Sequence, residues 1–234
     1  MTMLSAVLAA GDTVSTTLGV VQTVLEYLGT VAFAVSGAFA AGRKQMDLVG
    51  VVVLGSAVAV GGGTVRDLLL GELPVFWVTE PTFLLVGAAT ALAVVPLART
   101  RTLDLLQRLR IIEVSDAAGM ALFVVIGTNV AIDSGADGVS AAVVGVVAGV
   151  GGGVIRDVLA NRLPEVLSNA QFYATAALVG AAAYLGLLQP DVPAEVAFWV
   201  PIVIILAIRL LALRLGWGMP TFTVPDGREP RNRS

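Results

Sequence analysis

The sequence predicts an all-α integral membrane protein: seven transmembrane helices, arranged as two inverted three-helix repeats plus a seventh helix. Three observations lead there. The first is composition. Of 234 residues, 57% are hydrophobic and only 13% charged, and the mean hydropathy is +0.91. A soluble domain carries about 25% charged residues. The second is a duplication. Residues 61–74 read GGGTVRDLLLGELP and residues 151–164 read GGGVIRDVLANRLP. The same gapless offset of 90 pairs Gly29 with Gly119, Phe33 with Phe123, Gly37 with Gly127, Asp47 with Asp137 and Gly55 with Gly145. The third is a clean sidedness of charge.

Taken in order, residues 1–25 hold no Lys or Arg and only a short apolar run over 3–10. A cleaved signal peptide needs a basic start. The segment therefore reads as an extracytoplasmic tail, flexible or weakly interfacial. The first three-helix repeat covers 26–98, with spans over about 26–42, 47–72 and 81–98, each long enough to cross a bilayer. Residues 99–115 form a cytoplasmic connection. Within it, 101–112 alternates Arg with Leu and Ile. That pattern suits a short amphipathic helix on the membrane surface or a snorkelling lead-in to the next span. The second, inverted repeat covers 116–188, with spans over about 114–132, 138–161 and 170–188. The seventh helix lies in 189–216, over about 195–215, and a Pro- and Arg-rich cytoplasmic tail fills 217–234. Trp77, Trp199 and Trp217 fall near span ends, where interfacial anchors sit.

Basic residues follow the first, third and fifth spans and follow or end the seventh: Arg43 and Lys44, then Arg99, Arg101, Arg108 and Arg110, then Arg162, then Arg214, Arg228, Arg231 and Arg233. The alternate loops carry Glu72 and Glu80, Asp133 and Asp137, and Asp191. The positive-inside rule then places the N-terminus outside and the C-terminus in the cytoplasm. Three spans per repeat invert the second copy about an axis in the membrane plane.

Each copy holds a glycine triplet inside a span, Gly61, Gly62 and Gly63 or Gly151, Gly152 and Gly153. A glycine costs a helix about 1 kcal/mol against alanine. Both spans are therefore expected to break at mid-membrane. Such a break is tolerated only where it lines a cavity or is buried in protein. Its carbonyl end attracts cations and its amide end anions. Thr64 and Asp67 are placed to cap a restarted helix, whereas the other copy has Val154. A second reading is close helix packing, because Gly55, Ala59 and Gly63, like Gly145, Gly149 and Gly153, are spaced by four. Both readings can hold together.

Arg66–Asp67 and Arg156–Asp157 then fall at opposite mouths, as gates or as structural ion pairs. Glu26 is the expected partner of Arg66, and Asp116 of Arg156, from their matched repeat positions. Ser36, Ser56, Thr64, Thr128 and Asn129 are candidates for a wet path; Asn129 stands out because an amide is costly in lipid.

The chain has no His and no Cys. It offers no nucleophile beside a base and no clustered acids for a metal, so an enzyme is not expected, nor a cofactor, nor a nucleic-acid partner. Two readings remain. One is a passive cation channel, in which carbonyls replace part of the ion's hydration. The other is a secondary transporter of a small zwitterion such as glycine, since inverted repeats with broken helices also mark transporters.

The GGGxxRD string in both halves of a seven-span chain resembles the prokaryotic branch of the trimeric intracellular cation channel family, whose repeat is also labelled a glycine transporter domain. The resemblance covers about residues 20–216. It implies a homotrimer in the prokaryotic inner membrane, in contact with lipid, with a pore in each protomer. It implies conduction of potassium with some sodium as the permeant ions. It designates Gly61, Gly62, Gly63, Arg66 and Asp67, with Gly151, Gly152, Gly153, Arg156 and Asp157, as residues of two kinked, pore-lining spans. Animal members carry a Lys-Glu-type motif linked to lipid and voltage responses. This chain has Arg-Asp at its glycine repeats, so lipid-dependent gating is not expected.

Overall fold

In hydrocarbon a backbone group must find its partner within its own segment or a closed barrel. Accordingly, every described regular element of this chain is a helix. A computed structural model describes residues 3–98, 110–168 and 172–217. In order the elements are α1 (Met3–Arg43), α2 (Leu48–Leu70), the single turn α3 (Phe76–Thr79), α4 (Thr82–Ala98), α5 (Ile111–Asp133), α6 (Gly138–Leu159), a 3-10 turn (Glu165–Leu167), α7 (Tyr173–Leu187) and α8 (Ala194–Leu215). Five stretches are long and apolar enough to cross a membrane: Gly19–Arg43 of α1, and α2, α5, α6 and α8. Thr82–Leu97 and Tyr173–Leu187 are shorter apolar helices. The chain is an integral membrane protein.

One boundary differs from the sequence reading. Residues 3–25, expected as a tail, are continuous α-helix with the first span. No proline falls within them, so nothing interrupts the hydrogen-bond ladder. Most of the 101–112 segment and nearly all of the 217–234 tail lie outside the described residues.

The duplicated positions start and stop helices alike. Asp47 caps α2 by accepting from the Gly50 amide at 2.7 Å. Asp137 caps α6 by accepting from the amides of Val139 and Ser140 at 3.0 and 3.1 Å. These bonds hold the exposed Asp137 carboxyl below its usual range. After each Arg-Asp helix the chain turns through a left-handed residue, Gly71 (φ 73°) in one copy and Asn161 (φ 50°) in the other.

α1, α2 and α4 pack on one another, and so do α5, α6 and α7. The two groups meet along α1 with α5 and α2 with α6, while α8 covers α5 and α7. Small residues permit these approaches. A Cβ added to Gly37 would lie 2.9 Å from the Gly55 Cα, and one added to Gly127 would lie 3.2 Å from the Gly145 Cα. These are the same contact in the two copies.

Candidate functional site

The two glycine triplets meet where α2 crosses α6. Neither helix breaks there: Leu48–Leu70 and Gly138–Leu159 run through as α-helix. The expected mid-membrane breaks are therefore absent, and the triplets expose no cut ends. What the glycines supply is space. A Cβ on Gly62 would strike the Ala148 carbonyl oxygen. One on Gly152 would lie 3.0 Å from the Val58 carbonyl oxygen, the matching atom of the other copy. One on Gly151 would lie 3.2 Å from the Gly62 Cα, and one on Gly61 would strike Ile155. Backbone against backbone offsets the glycines' low helix propensity.

The third glycine of each triplet makes room for an aromatic group. A Cβ on Gly63 would sit 2.6 Å from the Phe76 ring. One on Gly153 would strike the Tyr173 hydroxyl and lie 2.8 Å from Asp116 Oδ1.

Each Arg-Asp pair braces the chain that follows its helix. Asp67 Oδ1 accepts from Arg66 Nε at 2.8 Å, and Asp67 Oδ2 accepts from the Phe76 amide at 2.8 Å. Asp157 Oδ1 accepts from Arg156 Nε at 2.8 Å, and Asp157 Oδ2 accepts from the Glu165 amide at 3.0 Å. One carboxylate thus holds its neighbouring guanidinium and the chain returning after the Leu-Pro step. Asp67 does not cap a restarted helix with Thr64. Thr64 instead donates to its own helix at Val60 and accepts from Trp77 Nε1 at 2.9 Å.

The two ends differ beyond that shared brace. Arg66 stacks over Phe76, 5.5 Å from the ring centroid. Its ion pair within 4.0 Å is with Asp67, not Glu26. Glu26 accepts from Gln22, one turn earlier in α1. Arg156 gathers a larger set. Its Nη1 donates to Asp116 Oδ1 at 2.7 Å and to Ser36 Oγ at 2.8 Å, and its Nη2 lies 3.5 Å from Glu165 Oε1. The other oxygen of Glu165 pairs with Arg209 of α8 at 3.2 Å, and Arg209 stacks 4.4 Å over Tyr173. Asp116 is 0% and Arg156 1% exposed. Buried ions cost several kcal/mol each in desolvation, which close pairing and hydrogen bonds must offset. Burial raises the Glu165 carboxyl above its usual range, against the lowering effect of Arg156 and Arg209.

Of the proposed wet-path residues, Ser36 joins the Arg156 cluster and also donates to the Ile112 carbonyl at 3.1 Å. Thr128 bonds back to Val124 of its own helix. Asn129 is directed elsewhere. It donates to Asp133 at 3.0 Å and accepts from Tyr184 at 2.7 Å, at the far end of α5. Glu165 and Tyr173 escaped the sequence reading. The signal was Arg209: a charge within an apolar span must find a partner.

The chain is similar to known proteins over most of its length. A family model described as Glycine transporter matches residues 23–99 and again 113–189, each match containing one GGGxxRD string. The UPF0126 inner membrane protein YadS of Escherichia coli K12 is 43% identical over 208 residues, which is 86% of this chain and 96% of YadS. The structure of the TRIC trimeric intracellular cation channel orthologue from Rhodobacter sphaeroides superposes with a TM-score of 0.77 at 38% identity, over 84% of this chain and 98% of that one. A prokaryotic TRIC channel crystallised in 0.5 M KCl gives a TM-score of 0.78 at 30% identity, over 86% and 99% of the two chains. The chain belongs to the prokaryotic branch of the trimeric intracellular cation channel family. In this TRIC chain the two glycine triplets meet at one crossing, and each is followed by its own Arg-Asp brace.

Proposed function

We propose that this protein is a potassium-permeable cation channel, with sodium as a second permeant ion, and that it assembles as a homotrimer with one path per protomer. Its likeness to solved TRIC cation channels, at 38% identity over nearly the whole of one of them, is the observation that carries the reading. The path follows the crossing of α2 and α6, past Gly61, Gly62, Gly63 and Thr64 on one side and Gly151, Gly152 and Gly153 on the other. Seven helices cross the membrane, the short α4 and α7 among them, and the second repeat is inverted relative to the first. The N-terminus lies outside and the C-terminus in the cytoplasm.

Arg66 with Asp67, and Arg156 with Asp157, stand near the two mouths as brace and gate. Continuous helices at the triplets rule out ion coordination by cut helix ends. Selectivity then depends on what the closely packed path exposes when it widens. Arg156 is the stronger gate candidate. It fills the space between Ser36 and Asp116, so conduction requires it to swing aside or share those oxygens with a passing ion. Glu26 contributes negative charge at the opposite mouth.

Single-channel recording of the purified protein in planar bilayers, under a potassium chloride gradient, tests this. Discrete openings that reverse near the potassium equilibrium potential are expected. Arg66→Ala or Arg156→Ala, recorded from folded protein, should alter conductance or open probability; either variant folding and conducting like wild type would overturn the gate assignment. The transporter reading survives only if bilayers stay silent while liposomes of the same preparation take up glycine saturably.

A further inference from the structure

A cavity of about 320 Å³ lies between α1, α5, α7 and α8, away from the α2–α6 crossing. Small-molecule sites typically measure about 300–1,000 Å³ and combine apolar walls with a few fixed polar groups. Here Val21, Leu188, Phe198 and Trp199 supply the walls. Asn129, Gln22 and Tyr184 supply a polar floor that is already locked. The Tyr184 hydroxyl donates to Asn129 Oδ1 at 2.7 Å, and Asn129 Nδ2 donates to Asp133 at 3.0 Å and Gln22 at 3.4 Å. The Tyr184 ring meets Phe198 edge-on at 6.3 Å, which fixes the aromatic wall as well. With the amide donor of Asn129 committed, the floor offers oxygen acceptors and ring surface to an incoming molecule.

The rim is acidic. Glu195, in the first turn of α8, lines the cavity and makes no ion pair among the described residues. Residues 71–81, 133–138 and 188–195 carry Glu72, Glu80, Asp133, Asp137, Asp191 and Glu195 and contain no Lys or Arg; 1–25 contains none either. An anionic or zwitterionic head would find no cation for its negative group here. A lone positive head would find Glu195, and the faces of Trp199 and Phe198 attract cations through their ring quadrupoles.

We propose that this cavity binds an amphiphilic ammonium ion: an aryl or alkyl body against Phe198 and Trp199, a cationic head beside Glu195, and no anionic group of its own. The site is independent of the ion path. Tryptophan fluorescence of the assembled protein in phosphatidylcholine nanodiscs reads it directly. The probe is benzyldimethyldodecylammonium, run beside the neutral benzyl dodecyl ether and the anionic dodecylbenzenesulfonate. A saturable change with the ammonium probe alone is expected. Glu195→Gln should weaken it at least tenfold, and Trp199→Phe should remove most of the signal while the ammonium probe still binds in a radiolabelled competition assay. Both side chains are exposed, so both variants should fold. Equal responses to the neutral and cationic probes, or wild-type affinity in Glu195→Gln, would overturn the proposal. So would binding that appears only in dissociated protomers, which would make the cavity an interface between copies.

Discussion

Phe33 and Phe123 lie ring to ring, centroids 5.5 Å apart and planes tilted by 38°, and each fills the space beside a glycine of the other half. A Cβ on Gly119 would sit 2.7 Å from the Phe33 ring, and one on Gly29 would sit 2.7 Å from the Phe123 ring. Gly29 pairs with Gly119, and Phe33 with Phe123, at the offset of the duplication. The contact is therefore reciprocal, and both rings are essentially inaccessible.

Gly119→Ala should accordingly destabilise the fold by about 1–3 kcal/mol, the usual cost of overpacking a filled core. Thermal unfolding in detergent checks it. The double variant Gly119→Ala with Phe33→Leu should recover part of the loss, because the smaller side chain vacates the contested space. Additive losses in the double variant would show that the ring is not what the glycine accommodates.

The triplets allow a graded test. At Gly62 the added methyl meets the Ala148 carbonyl oxygen, backbone that moves only if the whole helix moves. At Gly151 it meets the Gly62 Cα at 3.2 Å, a contact that a slight shift relieves. Gly62→Ala should therefore lower the melting temperature more than Gly151→Ala. Equal effects would mean the α2–α6 approach is looser than the geometry requires.

Much of this packing was legible in the sequence. The glycines and aromatic residues matched at offset 90 are those that touch between or within the repeats, because a duplicated helix pair keeps its contact residues. The integrity of the helices through 61–63 and 151–153 was not legible. Propensity predicts a weak point, and only the partner helix, close enough to replace the missing side-chain contacts, removes it. The role of Asp67 and Asp157 was hidden for another reason. Their second oxygens bind amides eight or nine residues onward, at Glu165 and Phe76, and that depends on how the chain folds back after Leu73-Pro74 and Leu163-Pro164. Glu165 has Val75 opposite it in the other copy, and Arg209 lies outside the duplication, so comparing the copies could reveal neither.

The two motif arginines should differ in consequence. Arg156→Ala leaves Asp116, fully buried, without its cation, and breaking a buried pair from one side costs about 3–5 kcal/mol. Arg66→Ala leaves Asp67 with the Phe76 amide still bound, and the loss should be smaller. Adding Asp116→Asn to Arg156→Ala should restore stability, since it removes the stranded charge. Melting temperatures of the four proteins decide it; a double variant no more stable than Arg156→Ala would show that Asp116 is not the group left in deficit.

Glu165 should give the fold a distinctive response to pH. Burial raises its carboxyl above the ordinary 4.5, against the pull of Arg156 and Arg209, so the folded protein holds this proton more tightly than the unfolded chain. The stability it contributes is complete below 4.5 and is lost as pH rises through the folded value. The direction is opposite to that of Asp137, whose lowered carboxyl contributes stability that is lost as pH falls. Glu165→Gln keeps a neutral side chain of the same shape at every pH. Its melting temperature should therefore match wild type in acid and exceed it just above the carboxylate range, giving a flatter profile there. If wild type gains on the variant as pH rises, the two guanidiniums outweigh burial, and Glu165 is an ion-pair anchor in its charged form.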